Sequence, residues 1–573
     1  MEPRESCSPA AGLPLSSPVE LLTRAMISNS KSTRRLLLVT GAFVLLVGFV
    51  TVLILTRRLS ARQPDSIAPT IEQPGIRSSS GSPGAPSRIT VSNSPADHLL
   101  QRDIDQVMNA NSLTADWGVF AMSLRDGRVL YARNADRSFV PASNMKLYTT
   151  AVALDLLGAD FRWRTSVYAP SLPDKSGTID GDLTLYGRAA PDLALAVKGK
   201  EASLKLLADE LYRRGLRHVR GNVIGDESFI RGEPLGDGWL WNDVQWYYGA
   251  EVSALSIGGN EVTMTIAPGA KPADPARLSI VPETSYVTLS NDVRTVVRNG
   301  PAAIGITRGL SDNTFRVWGD LPVNGSGIRA RVAVHRPALW AAEMFREELR
   351  TRGIVVDGVV ATRNAIDQRA GDKFDTQNQT ELASLASGPL AEVSSVINKE
   401  SVNLEAELVL RTLGKEKGAT APDPDPRKMA LRGDDEAGLA VVRKWLEGAG
   451  ISTTNISLHD GSGLSRLNLV TPETTGRLLA AMSKSTQATI FRNSLAVAGR
   501  DGTLSNRLRS ATARIFAKTG TLTYVNSLSG YVVTQDNEVL VFSIFCNNDS
   551  SPSGSTSTID SVALLLSSYR QGS

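Results

Sequence analysis

The sequence predicts an α/β chain: an antiparallel sheet with helices, a large β-rich insertion, and an N-terminal transmembrane helix. Three observations predict it. Strand pairs stand near both ends of the folded part, at 118–133 and in NSLSGYVVT and EVLVFSIFC, with a helical pattern after each. Many short strand-like runs fill 165–335 between Gly, Pro and Asn. Residues 36–56 form one unbroken apolar run. Strand pair, helix, long insert, helices, then strand pair and helix describe a layered α/β sandwich with an inserted region.

The chain has 573 residues, more than one core organises, so several domains are expected. Hydrophobic residues are 42% and charged residues 21%, which is ordinary globular usage. The net charge of +4 is small and no basic block stands out, so no nucleic-acid partner is expected. Cys7 and Cys546 fall on opposite sides of a membrane in the topology below, so no disulfide is expected between them. Cys546 ends the apolar run VLVFSIFC and reads as a buried core thiol. His98, His218, His335 and His459 are scattered and offer no metal-ligand spacing with the two cysteines. They also give no reason to place a histidine base beside a serine.

Residues 1–35 are polar and read as a disordered cytoplasmic segment. Residues 36–56, LLLVTGAFVLLVGFVTVLILT, match the roughly 20 uncharged residues a helix needs to cross a bilayer. The run starts late and ends without a small-x-small cleavage site, so it reads as an uncleaved signal anchor. Arg24, Lys31, Arg34 and Arg35 precede it, and Arg57, Arg58 and Arg62 follow it. That bias of one charge places the N-terminus inside and the remainder in the periplasm. Residues 57–95, rich in Ser, Pro, Gly and Arg, bury too little to fold and read as a linker.

The folded part divides into 96–160, inserted β-rich domains at 161–385, and 386–573. GVFAMSLRDGRVLYAR reads as two strands around an Asp-Gly turn. A helix over 143–157 is stopped by Gly158. The insert shows SVYAP, DLTLYG, VTMTIAPG, ARLSIV, YVTLS and RVAVH. Helical patterns return at ALWAAEMFREELRTRG, PLAEVSSVINK and LEAELVLRTLG, and a closing helix is expected at about 557–570.

Three short motifs carry chemistry. Ser143-Asn144-Met145-Lys146 puts a serine at a helix start and a lysine three residues on, both on one face. The helix N-terminus disfavours an extra positive charge, and a neutral lysine can take the serine's proton. The competing reading is a capped helix with a surface lysine, and Ser28-Asn29-Ser30-Lys31 matches the same pattern before the apolar run. Ser401-Val402-Asn403 lies between two helical patterns, where a loop can present a hydroxyl and an amide to a cleft. Ser and Asn also cap helices, and Ser311-Asp312-Asn313 competes from a turn of the insert. Lys518-Thr519-Gly520, followed by Thr521, ends the strand-like IFAKTGT. A lysine and a hydroxyl on an edge strand can grip a carboxylate, and the glycine permits close backbone approach. A backbone N–H just after it can complete an oxyanion hole with that of Ser143. Lys175-Ser176-Gly177 is a similar run in a loop.

The order of these motifs, on helix, loop and strand, is the signature set of penicillin-binding proteins and serine β-lactamases. Ser401 follows Ser143 by 258 residues, and the large insert between them resembles the class C low-molecular-mass penicillin-binding proteins. These form the D-alanyl-D-alanine carboxypeptidase/endopeptidase family. GWLWNDVQWYYGAEVSALSIGGN (238–260), HDGSGLSRLNLVTP (459–472) and AGRDGTLSNRL (498–508) carry the same resemblance, which covers about 100–570. It implies a penicillin-binding/β-lactamase-like serine transpeptidase fold. Three departures stand out: Ser-Val-Asn for the commoner Ser-Asp-Asn, GRAAPDL (187–193) where relatives carry a Gly-Asp-Pro run, and the apolar span itself.

The resemblance implies residue roles. Ser143 attacks a D-alanyl carbonyl of a peptidoglycan stem peptide, and Lys146 takes its proton. Ser401 relays a proton to the leaving amine, with Lys146 and Lys518 nearby, and Asn403 binds the acyl-side amide. Lys518 and Thr519 bind the terminal carboxylate beside Gly520. The N–H groups of Ser143 and Thr521 hold the oxyanion. Penicillins and other β-lactams acylate Ser143, and no cofactor or metal is implied. Asp460, Ser462 and Arg466 either pin a turn or join the chemistry. Trp239, Trp241, Tyr247 and Tyr248 either stack on sugars or pack an interface, and Asp501 and Arg507 read as structural. The rival readings are a non-catalytic β-lactam-binding scaffold and a β-lactamase, whose class A members need an added glutamate-water arrangement.

Overall fold

The apolar run VLVFSIFC does not alternate, and a strand of that kind needs cover on both faces. It finds both at the centre of a six-stranded sheet. The computed structural model describes residues 89–571, apart from 112–114, 194–202, 366–373, 419–432 and 551–553. The expected membrane span at 36–56, Cys7 and the Ser28–Lys31 run lie outside the described residues. Among the described residues, no helix is long and apolar enough to cross a membrane.

The sheet takes strands from both ends of the folded chain. β1 (Asp116–Ser123) and β2 (Val129–Arg133) form the expected hairpin. β3 (Ala496–Val497), β4 (Ile515–Leu522), β5 (Val525–Val533) and β6 (Val539–Asn547) complete it in the order β3-β4-β5-β6-β1-β2. All neighbours run antiparallel. The two-residue β3 pairs only with Phe516 and Ala517 of β4, so from Lys518 onward β4 is an edge.

Side chains on β6 divide by period two. Leu540, Phe542, Ile544 and Cys546 face one core, with helix α1 (Pro95–Asn111) and the closing helix Gly554–Ser568. Val541 and Phe545 face the other, with α2 (Met145–Leu157) and the helix Pro472–Met482. Cys546 is a free, buried thiol, as its apolar setting suggested. α2 is apolar on nearly every side because it runs through the interior, with Lys146 and Tyr148 fully buried along it. It ends at Gly158, whose φ of 87° turns the chain out of the helix.

The insert leaves the sheet after α2. Its strands Arg164–Ala169 and Thr380–Ala386 pair antiparallel, so the chain enters and leaves side by side. They belong to a five-stranded sheet in which Thr380–Ala386 is one edge, Arg164–Ala169 lies next to it, and Leu183–Tyr186, Val223–Asp226 and Val360–Arg363 follow in that order. The helix Ser203–Arg213 was not singled out in the sequence, although its buried Leu204, Leu207, Ala208 and Leu211 keep helical spacing. After the insert, α3 (Leu390–Glu400) and α4 (Asn403–Lys417) stand against α2.

Phe120 of β1 is fully buried, whereas Leu172 is 64% exposed in a loop of the insert. Phe120→Ala is expected to cost about 3–5 kcal/mol and Leu172→Ala less than about 0.5 kcal/mol, both measured by chemical denaturation.

Candidate active site

The turn before α2 delivers the serine. Ala142 takes a positive φ of 47°, and residues 142–144 make a single 3₁₀ turn that runs into α2. Ser143 is half-buried there, and Lys146 lies one helical turn on, fully buried. Lys146 Nζ is 3.0 Å from Ser143 Oγ. It also donates to Asn403 Oδ1 at 2.6 Å and to the carbonyl of Ser462 at 2.6 Å. Both of these partners are neutral oxygens.

The sharp bend between α3 and α4 delivers the second motif. Ser401 terminates α3 with φ 61°, so the chain leaves that helix and starts the next within two residues. Asn403 then opens α4, with Oδ1 on Lys146 and Nδ2 donating to the Tyr248 carbonyl at 2.8 Å. The departure at Val402 leaves this geometry untouched, because the outer residues of the motif make the contacts. Ser401 Oγ accepts from Lys518 Nζ at 2.9 Å.

The open edge of β4 delivers the third. Lys518 is fully buried and also donates to the Thr519 carbonyl at 2.8 Å. Thr519 Oγ1 donates to Thr503 Oγ1 at 2.8 Å, and Thr521 is exposed. Gly520 has a reason that the sequence did not reveal. A Cβ there would lie 2.8 Å from the Pro141 carbonyl and 2.9 Å from the Ser143 nitrogen, against Ser527 Oγ. The close approach that needs glycine is that of the protein's own Ser143 turn to β4.

Electrostatics follows from burial. Loss of water pushes the Lys146 ammonium down to about 7, against the pull of the Asp460 and Glu407 carboxylates. Burial and the nearby charge of Lys146 drive Lys518 well below the usual lysine range. The titratable group beside Ser143 Oγ is thus an amine. His459 is engaged elsewhere, with Ser457 at 2.9 Å and Asp237 at 2.8 Å.

The competing runs sit in ordinary turns. Asp312 accepts from the Thr314 amide and Asn313 from the His335 amide. Ser176 donates to Asp174 beside Lys175. Asp460 pins a turn: its carboxylate accepts from the Gly463 and Ser465 amides, Asn468 Nδ2 and Trp239 Nε1 at 2.6–2.9 Å. Arg466 donates to the Thr523 carbonyl, and Arg507 pairs with Asp560. Asp501 ties the 498–508 loop to Lys399 of α3 at 2.8 Å. Trp241 is 74% exposed, and Arg331 lies over the Tyr247 ring at 4.0 Å. Sequence reasoning missed Glu407, the Tyr248 carbonyl and Thr503. Backbone oxygens leave no pattern in a sequence, but Glu407 lies four residues after Asn403, on the same helical face.

The pattern of the D-Ala-D-Ala carboxypeptidase 3 (S13) family matches residues 100–569. The chain belongs to this family. It is a serine peptidase, and it carries the D-Ala-D-Ala carboxypeptidase activity for which the family is named. A D-alanyl-D-alanine carboxypeptidase of Actinomadura sp. (strain R39) is 34% identical over 486 residues, covering 82% of this chain and 85% of that relative. D-alanyl-D-alanine carboxypeptidase DacB of Haemophilus influenzae is 26% identical over 435 residues, covering 75% of this chain and 85% of the relative. The crystal structure of penicillin binding protein 4 from Haemophilus influenzae superposes with a TM-score of 0.68 at 23% identity, covering 80% of this chain and 98% of that one. Its fold is the penicillin-binding, β-lactamase-like one that the three motifs of this S13 chain implied.

Gly520→Ala is expected to push the Ser143 turn off β4 and slow acylation by about 10²-fold, the scale of a 1 Å misplacement. Stopped-flow acylation beside a thermal melt measures both the rate and the retention of fold.

Proposed function

We propose that Ser143 is the nucleophile and Lys146 the general base of an acyl-enzyme mechanism acting on peptidoglycan stem peptides. One observation carries the reading. Asn403 Oδ1 and the Ser462 carbonyl, each at 2.6 Å, take two N–H bonds of Lys146. A neutral amine so held has its lone pair left for Ser143 Oγ at 3.0 Å.

The Ser143 oxygen bonds to the carbonyl carbon between two D-alanines as its proton passes to Lys146. The oxyanion forms against the N–H groups of Ser143 and Thr521. Collapse breaks the C–N bond, and the departing D-alanine nitrogen receives a proton through Ser401, which Lys518 touches at 2.9 Å. Lys518 and Thr519 hold the terminal carboxylate beside Gly520, and Asn403 offers its remaining N–H to the acyl-side amide. Water then adds to the ester and releases the shortened peptide and Ser143. D-alanyl cross-links present the same bond, so endopeptidase action belongs to the same reading. Penicillin carries a strained amide in place of the D-alanyl bond and acylates the same serine. GRAAPDL, without the relatives' Gly-Asp-Pro run, shifts preference among stem peptides. The span at 36–56 anchors the protein in the cytoplasmic membrane, N-terminus inside, with the catalytic part in the periplasm.

Four outcomes are expected. Labelling by fluorescent penicillin, followed by intact mass, is lost in Ser143→Ala and kept in Ser28→Ala; labelling that survives Ser143→Ala sinks the assignment. The wild-type acylation rate climbs as pH rises through about 7, because Lys146 must be free of its proton to act. Lys146→Ala lowers that rate by about 10²–10⁴-fold, the worth of a positioned base. The full chain is expected in the membrane fraction after high-salt washing, and a chain starting at residue 96 in the supernatant.

A further inference from the structure

Glu407 is fully buried, contacts neither Ser143 nor Lys146 by hydrogen bond, and has no role in the steps above. It lies one turn after Asn403 on α4, behind the catalytic lysine. Its Oε1 accepts from the Gly461 amide at 3.0 Å and from the Ser462 amide at 2.8 Å. The carbonyl of the same Ser462 receives Lys146 Nζ at 2.6 Å. One carboxyl oxygen therefore fixes the peptide unit that holds the catalytic amine.

The turn is gripped from the opposite side as well. Thr149 of α2 donates to the Gly461 carbonyl at 2.7 Å. Gly461 sits close on α4: a Cβ there would lie 2.9 Å from Leu410 Cβ and 3.1 Å from the Ala406 carbonyl. Gly463, with φ 84°, presses on the Ala142 carbonyl next to the nucleophile. The 460–463 turn thus touches Lys146 and the residue just before Ser143, and Glu407 is the side chain that seats its amides from α4.

We propose that Glu407 is a positioning residue of this active site, acting as the hydrogen-bond acceptor that aims the Ser462 carbonyl at Lys146 rather than as a counter-charge. This rests on Lys146 being the base that activates Ser143. Burial, aided by the Asp460 charge, pushes the Glu407 carboxyl up to about 8, so a neutral acceptor of the same shape is a fair stand-in at neutral pH. The charged groups around the pair are Asp460 on the turn, Arg411 on α4, Asp435 with its Oδ2 3.8 Å from Arg411, and Lys518 on β4. All four are kept in both variants below.

The test exchanges reach for charge. Glu407→Gln keeps the acceptor and loses the ionisable group; Glu407→Asp keeps the carboxyl and shortens the reach. Acylation of the full chain by a fluorescent penicillin is followed by stopped flow across pH, with a thermal melt of each protein. Glu407→Gln is expected to stay within about threefold of wild type with its acid limb in place. Glu407→Asp is expected to lose about 10²-fold at the plateau, the scale of a misplaced catalytic group. Its acid limb should also move to lower pH, because Lys146 loses an oxygen that favours its charged form. A protein that is merely less stable would melt earlier without moving that limb. Glu407→Asp with wild-type kinetics overturns the proposal, and so does Glu407→Gln falling as far as Glu407→Asp. If Glu407→Gln does not fold, Glu407→Asp decides alone. A wild-type protein that penicillin does not acylate overturns the reading of Ser143 and Lys146 as well.

Discussion

A lysine without water is the constraint on which the rest of this structure depends. An ammonium group taken fully out of solvent is costly unless partners replace every hydrogen bond that water made. Lys146 is fully buried, and its contacts are the Ser143 hydroxyl, the Asn403 amide oxygen and the Ser462 carbonyl. These oxygens satisfy the donors without the charge of a carboxylate in contact. Burial thereby keeps the amine near the point where it can give up or accept a proton close to neutrality.

That arrangement needs three chain segments to meet within a few ångströms, and each meeting has its own steric condition. Gly520 lets β4 lie against the Ser143 turn. Gly463 lets the 460–463 turn lie against Ala142, and Gly461 lets it lie on α4. The second buried lysine adds an electrostatic condition. Lys518 shares the site with Lys146, and the charge of one disfavours that of the other. Two ammonium groups in one dry site repel, so the site favours states in which at least one is neutral. Ser401 hydrogen-bonds Lys518 while Asn403 hydrogen-bonds Lys146, so the α3–α4 bend couples both lysines to one loop.

Much of the fold was legible because its patterns are local. The Asp-Gly turn between β1 and β2, the stop at Gly158 and the apolar strands near the C-terminus follow from backbone sterics and hydrophobic period over a few residues. The three motifs were legible for the same reason. Ser143 and Lys146 share a helical face, and Lys518 to Thr521 lie along one strand. The turn at 459–472 was visible as a distinctive run, but whether Asp460 would pin it or act in it was not. That depended on the amides and the indole that converge on its carboxylate.

By itself the sequence determined the order of elements, the identity of the serine, lysine and hydroxyl groups, and the apolar span ahead of the folded part. Each is a property of neighbouring residues. Only the tertiary structure decided that Lys146 would meet Asn403 across 257 residues, and Lys518 meet Ser401 across 117. It alone showed that Val402 leaves the site's contacts intact, that Gly520 accommodates the Ser143 turn, and that Glu407 stands behind Lys146. Burial and desolvation are set by what distant segments bring to a point. The proton affinity of Lys146 is of that kind, since it depends on the absence of water, and no local run of residues specifies that.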